Sequence, residues 1–400
     1  MQPSTLLASL ITCATILGAS IYVSKNTSQD SLNTELVQEN KRLTEQVKQF
    51  QAEIDTLKKL QQQGNDTTLN ISLYTYVEKN LDLSFDPHIR AYRVTEDKLI
   101  EAAEQSWIQP LSSHGVANYN FAFEHLGIIP VNQNLLTQLA MGEGYGAVAV
   151  YDVGSKEILI GQHYDEENIF HNANVVRALS IALLDQKFPA PNYQGIDSVI
   201  ARKATLYGRA SMISHRFQNK MSREHGIIKP LTGNEDVAEV YNSLPSLVRG
   251  IVSFPSTTGK SYVASLMQNH DKILPLLYKK PPLKTSTIYA NKLPDGILPV
   301  SPVTPGTLIS APLGQLITKL YIQQLDAGKD TLHLQLDYDN LHLWQDPADT
   351  EKFIATWTTE WKTEEAAKDF YLYASELSVI PEDAPLVTIK GKTVTIKKQR

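Results

Sequence analysis

Between residues 31 and 63 the apolar positions recur every seventh residue. Leu36, Leu43, Phe50 and Leu57 stand at one core position of the heptad, and Asn40, Val47, Ile54 and Gln61 at the other. Glu, Gln and Lys fill most of the rest. This pattern predicts a coiled coil across 25–64. Val47 and Ile54 at position a, with mostly Leu at d, favour a parallel homodimer, and Asn40 at an a position sets its register. Gly64-Asn65-Asp66-Thr67-Thr68 breaks the repeat, so 65–72 reads as a linker.

Past the linker the period changes. Residues 73–104 predict a helix, a short extended segment at 89–94 and a second helix opening at Thr95-Glu96. Residues 121–139 predict helix interrupted at Gly127-Ile128-Ile129-Pro130. The runs 144–152 and 156–160 predict a hairpin. Residues 174–188 carry apolar side chains at 175, 176, 179, 182 and 183, the spacing of a helix with one buried face. Asn172 or Asn174 is its expected N-cap and Pro189 its stop. A second helix is expected over 195–210, opening at Asp197 as N-cap and turning Val199, Ile200, Ala204, Leu206 and Tyr207 inward. Further on, Gly314 opens a helix through Leu325, residues 332–336 and 341–344 predict two strands around the turn 337–340, and 386–396 predict a hairpin about Gly391.

Residues 5–23 are 19 uncharged residues, about the length of a membrane span. An uncleaved anchor and a cleaved signal peptide both fit; the anchor is preferred, because a coiled coil follows that is better tethered than free. The expected location is a single-pass membrane protein with its C-terminal domain outside the cytoplasm. Of the 400 residues 42% are hydrophobic, and the formal net charge is -6, so nothing points to nucleic acid as partner. Cys13 is the only cysteine, which excludes an intrachain disulfide. Two phosphate-loop look-alikes fail. Gly142-Glu143-Gly144-Tyr145-Gly146 is expected to lead into a strand instead of a helix, and Gly259-Lys260-Ser261 has Phe254 where the loop needs glycine.

Ala182-Leu183-Leu184-Asp185-Gln186 matches the tail of HExxHALxDQ, and Ala204-Thr205-Leu206-Tyr207-Gly208-Arg209-Ala210 lines up with ALxEGxA. The pair resembles the active-site helices of a bacterial family of predicted zinc metallopeptidases of the gluzincin type. Weaker matches follow in the same order: the hairpin through Tyr151-Asp152, the segment 243–263, the run Leu277 to Ile288 against YxxPPxSTeqil, Asp339 within a degenerate GWxGDxyxly, and 361–370 against WdtxxdAxeF. The resemblance spans roughly residues 75–398. It implies an α+β fold, a metallopeptidase-like (zincin) domain over 73–400, preceded by the transmembrane segment within 1–24 and the coiled coil.

The same resemblance places Arg177 and Ile181 where the family has its two metal-binding histidines, Ala178 in place of the general-base Glu, and Tyr207 in place of the third ligand. A catalytic zinc needs about three His, Glu or Cys ligands and an open position for water. Ala178 cannot take a proton, Ile181 has no lone pair, and Arg177 repels a cation. The expectation is therefore no metal, no cofactor and no catalytic residue: a non-catalytic pseudo-metallopeptidase binding a peptide or protein partner, or scaffolding, in the cell envelope. Tyr145, Gly146, Asp185 and Gln186 are its expected cleft residues. Asp185-Gln186 is expected to hold the following loop. Two alternatives stay open: an active hydrolase with a relocated metal or catalytic group, for which His171, Asp185, Asp197 and His215 are the conceivable ligands, and a purely structural coiled-coil protein.

Overall fold

The structure, a computed structural model, describes residues 39, 41–48, 69–87, 89–189, 195–225, 235–269, 273–294, 304–324, 331–377 and 384–400. The chain divides into two units, Met1–Asp66 and Thr67–Arg400. In the first, Glu39 and residues 41–48 are helical, and Val47, an expected core position of the heptad, is 41% exposed. The proposed span 5–23, Asn40 and the rest of the heptad run lie outside the described residues. No helix among the described residues is long and apolar enough to cross a membrane.

The second unit is α+β. It opens with α1 (Ile71–Leu81), β1 (Ala91–Val94), α2 (Glu96–Leu111), α3 (Ser113–His125) and α4 (Leu135–Gly144). The hairpin β2 (Ala149–Asp152) and β3 (Glu157–Gly161) follows. β1 pairs parallel to β3 and β2 antiparallel, giving a three-stranded sheet ordered β1-β3-β2, with β2 on an edge. Gly142, Glu143 and Gly144 end helix α4 and do not lead directly into the strand.

Next come α5 (Ile169–Lys187) and α6 (Ile196–Glu224), both longer than the sequence pattern indicates. Asn168 caps α5, its side chain accepting from the backbone of Phe170 and His171; Asn172 and Asn174 lie inside the helix. Gly195 stands at the N-cap of α6, and Asp197 sits within the first turn instead of capping it. α5 buries side chains on every face, from Val175 and Val176 to Leu183 and Leu184. Such a helix belongs in a core, where each Val, Leu or Ile contributes roughly 1.5–3 kcal/mol.

α6 joins the two hydrophobic cores. Leu206, Ala210, Ile213 and Phe217 pack with α1, α5 and the small sheet, while Ile196, Val199, Ile200 and Ala204 pack into the larger core. That core also takes α7 to α12 (Glu235–Ser243, Ser246–Ser253, Lys260–Asn269, Ile273–Lys279, Thr285–Tyr289 and Gly314–Gln323) and a π-helical turn, Pro255–Gly259. It is closed by an antiparallel sheet ordered β4-β5-β6-β8-β7: β4 Thr307–Ala311, β5 Leu336–Asp346, β6 Asp349–Trp361, β7 Leu386–Lys390 and β8 Thr393–Gln399. α13 (Glu364–Leu377) lays Phe370 against Trp357 and Trp361. The two short strands expected at 332–344 are instead a 3-10 turn, Leu332–Gln335, and one long strand β5, whose turn to β6 comes at 347–348.

One close approach explains two glycines. A Cβ on Gly208 of α6 would stand 2.6 Å from the backbone carbon of Gly259, and one on Gly259 would stand 2.4 Å from Ala204 O. The π-turn therefore rests backbone to backbone on the Ala204 and Gly208 face of α6.

Candidate functional site

The first turns of contact between α5 and α6 bring together the four positions that the resemblance singles out. Arg177, Ala178, Ile181 and Tyr207 all line one small cavity of about 40 Å³, with Glu143 of α4 and Tyr151 of β2 on its other walls. That volume admits a few water molecules. The Arg177 guanidinium lies over the Tyr207 ring, 5.8 Å from its centroid, and its Nε–H is buried without a partner. Burial and the nearby Glu143 carboxylate raise the Tyr207 phenol well above its ordinary range, so it stays protonated. A guanidinium, a methyl, an alkyl chain and a neutral phenol do not fit zinc. Among the described residues no three His, Cys, Asp or Glu side chains converge as a metal site requires.

A protein cation stands beside this cavity. Lys203, one turn before Tyr207 on α6, donates to both Glu143 oxygens at 2.8 and 2.9 Å and to Ser106 Oγ at 2.7 Å. Its ammonium also sits 3.8 Å from the centre of the Trp107 ring. Burial lowers the Lys203 pKa, and the Glu143 carboxylate opposes that shift. A buried ammonium needs its charge matched, and Glu143 matches it.

Beside the small cavity lies a wider cleft of about 470 Å³, which shares Ser106, Tyr151, Ile181 and Tyr207 with it. Asp185 lies on its wall and accepts from Tyr151 Oη at 2.9 Å and Lys156 Nζ at 2.8 Å. Arg202 also lines it. One of its terminal nitrogens donates to Phe188 O, while Nη1 is buried and unpartnered. Edge strand β2 forms part of the rim. Val148 O accepts from Gly161 N, so the antiparallel alternation turns the backbone groups of Ala149 and Tyr151 toward the side that no strand occupies. The site is thus a partly apolar cleft and a small cavity beside an edge strand, with four cations and two carboxylates on their walls.

No family model, curated protein or solved structure matches this chain.

The other expected cleft residues divide. Asp185 is in the cleft. Gln186 is not on its wall: its amide accepts from Asp86 N and donates to Asp86 O and Pro87 O, so it holds the loop after α1 and not the one after α5. Tyr145 caps the end of α4, and Gly146, at φ 65°, donates its N–H to Glu96. Neither lines the cavities. The four conceivable substitute ligands cannot all meet at one ion. His171 and Asp185 are 14 residues apart on α5, about 21 Å at helical rise, and Asp197 and His215 are about 27 Å apart on α6.

Arg202, Lys203 and Glu143 escaped the sequence reading. The available signal was two adjacent cations inside the buried run from Val199 to Leu206. Lys203 finds its partners Glu143 and Ser106 at separations of 60 and 97 residues, and Arg202 donates to Phe188 O across the turn between the helices, which local patterning does not reveal. Asp197 was also misjudged. It is fully buried, and its Oδ1 accepts from Thr285 N and Oγ1 while Oδ2 has no partner. Burial, aided by the nearby Asp339 charge, pushes its carboxyl up to about 8. Asp339 accepts from Leu313 N, Gly314 N and Trp357 Nε1, which makes it the carboxylate that caps α12.

Proposed function

We propose that this chain is a membrane-anchored, non-catalytic protein of the cell envelope, built on a metallopeptidase-like domain, whose cleft between α5, α6 and β2 holds an extended peptide or protein partner. The observation that carries the reading is the pairing of an open cleft of about 470 Å³ with an adjoining small cavity in whose lining Glu143, held by Lys203, is the one carboxylate and no His or Cys stands. The hairpin edge beside two core helices supports a zincin-type arrangement, and an unpaired edge is suited to adding a strand of peptide. Anchoring through 5–23 and a parallel homodimer through 31–63, with Asn40 in register, complete the proposal.

A hydrolase with a relocated catalytic group is the second reading, favoured by the 2.7 Å contact between Lys203 Nζ and Ser106 Oγ. The Glu143 carboxylate weighs against it, because an ammonium held by a carboxylate cannot take a serine proton. The test is metal content and peptidase activity of the full-length chain in detergent, after incubation with zinc and removal of excess. The expected result is no tightly held zinc and no turnover. One equivalent of zinc with chelator-sensitive cleavage overturns the proposal, and turnover abolished by Ser106→Ala overturns it in favour of the second reading.

A further inference from the structure

We infer that His171 is a proton-operated latch on the loop of residues 162–168, closed while its ring is neutral and released when the ring takes up a proton. The latch works whatever the cleft holds. The loop joins β3, the central strand of the small sheet, to α5, the helix that carries Arg177, Ile181 and Asp185.

One hydrogen bond here has a single possible sense. Asp165 N lies 3.0 Å from His171 Nδ1. A backbone amide only donates, so Nδ1 must offer its lone pair, and the proton of the neutral ring sits on Nε2. A second proton turns Nδ1 into a donor. Two donors then face each other and the bond is lost.

The loop's other ties to β1 and α5 do not respond to that proton. Arg93 Nη1 donates to Tyr164 O at 3.2 Å, Asn172 Nδ2 to Glu166 O at 2.7 Å, and Tyr164 Oη to Asn172 Oδ1 at 2.8 Å. A guanidinium and an amide keep one charge state between about pH 5 and 8. Burial pushes the Tyr164 phenol up to about 12, so it keeps its proton as well.

The surroundings hold the latch closed near neutral pH. Burial lowers the His171 pKa, the neighbouring His163 lowers it further, and the Asp165 carboxylate opposes them. The His163 ring is 5.8 Å away and packs over Gly161, where a Cβ would stand 2.9 Å from its Cε1. His171 also lies in the first turn of α5, at the positive end of the helix dipole, which disfavours a cation. Arg93 of β1 and Glu166 act on Tyr164, whose ring is 6.3 Å from that of His171, and Glu166 and Glu167 face solvent. Among the described residues, α1 and α6, which pack on α5, add no charge that shifts His171.

Hydrogen–deuterium exchange of the full-length protein in detergent, resolved to the Asp165 amide and normalised to the chemical rate at each pH, tests the latch between about pH 8 and 4.5. Protection should fall about 5-fold, the net contribution of one hydrogen bond, with a midpoint below the ordinary histidine value. His171→Asn places an acceptor oxygen near the position of Nδ1 and has nothing to titrate, so its profile should show no step. His163→Gln should keep the step and raise its midpoint. A wild-type profile without a step overturns the latch. So does a step that survives in His171→Asn, and one that is lost in His163→Gln assigns the response to His163 instead.

Discussion

Asp197 gives the sharpest test of how the two halves of the larger core are joined. Its carboxyl is buried between α6, the start of α11 and Gly314 at the start of α12, where a Cβ on Gly314 would stand 1.9 Å from Asp197 Oδ1. The folded protein holds this carboxyl neutral up to about 8, whereas the unfolded chain releases the proton near 3.9. Between those values the folded state binds one proton more than the unfolded state, so stability falls as pH rises through the window. It is fully present below the unfolded value and levels off above the folded one. At ~1.4 kcal/mol per pH unit, the loss from pH 4 to pH 7 is about 4 kcal/mol. Asp197→Asn keeps the acceptor for Thr285 N and Oγ1 but has nothing to titrate. Urea unfolding from pH 4 to 9, followed by the fluorescence of the buried Trp357 and Trp361, should show the two proteins about equal near pH 4, with the variant gaining to several kcal/mol by pH 7. The difference between the curves cancels the titrating groups that do not interact with Asp197; the Asp339 carboxyl, which does, stays in it. Parallel profiles, or a variant less stable throughout, would refute the reasoning and mean that Asp197 is ionised and satisfied.

Two other substitutions probe the site's frame. Lys203→Met leaves Glu143 buried without its cation and should cost ~3–5 kcal/mol in urea unfolding, while Lys203→Met with Glu143→Gln should recover most of the loss. A double variant as unstable as the single one would show that the ion pair is not what the position needs. Gly208→Ala drives a methyl into the Gly259 backbone at 2.6 Å and should destabilise by about 1–3 kcal/mol in the same assay, despite alanine's better helix propensity; a gain in stability would mean that the π-turn yields without strain.

The chain's own pattern already contained the elements around the site. Helix periodicity over 174–188 and 195–210, the extended run at 89–94, the hairpin of 144–152 and 156–160 and the hairpin about Gly391 are set by local spacing and turn residues, which act over a few positions. The residue types at 177, 178, 181 and 207 are equally local facts, and none of the four is a His, Glu or Cys. What needed tertiary structure was every decision made by a distant partner. Asn168 caps α5 because the loop before it turns there, and Asp197 leaves the cap to serve Thr285, 88 residues on. Leu336–Asp346 runs as one strand because β6 pairs along its length, Tyr338, Asp339 and Asn340 included, overriding the turn residues 337–340, while β4 adds a second partner only at 341–344. The pairing of Lys203 with Glu143, and the lack of any partner for Arg202 Nη1, depend on which side chains share a cavity. Burial and charge balance are properties of that shared volume, and no window of sequence contains it.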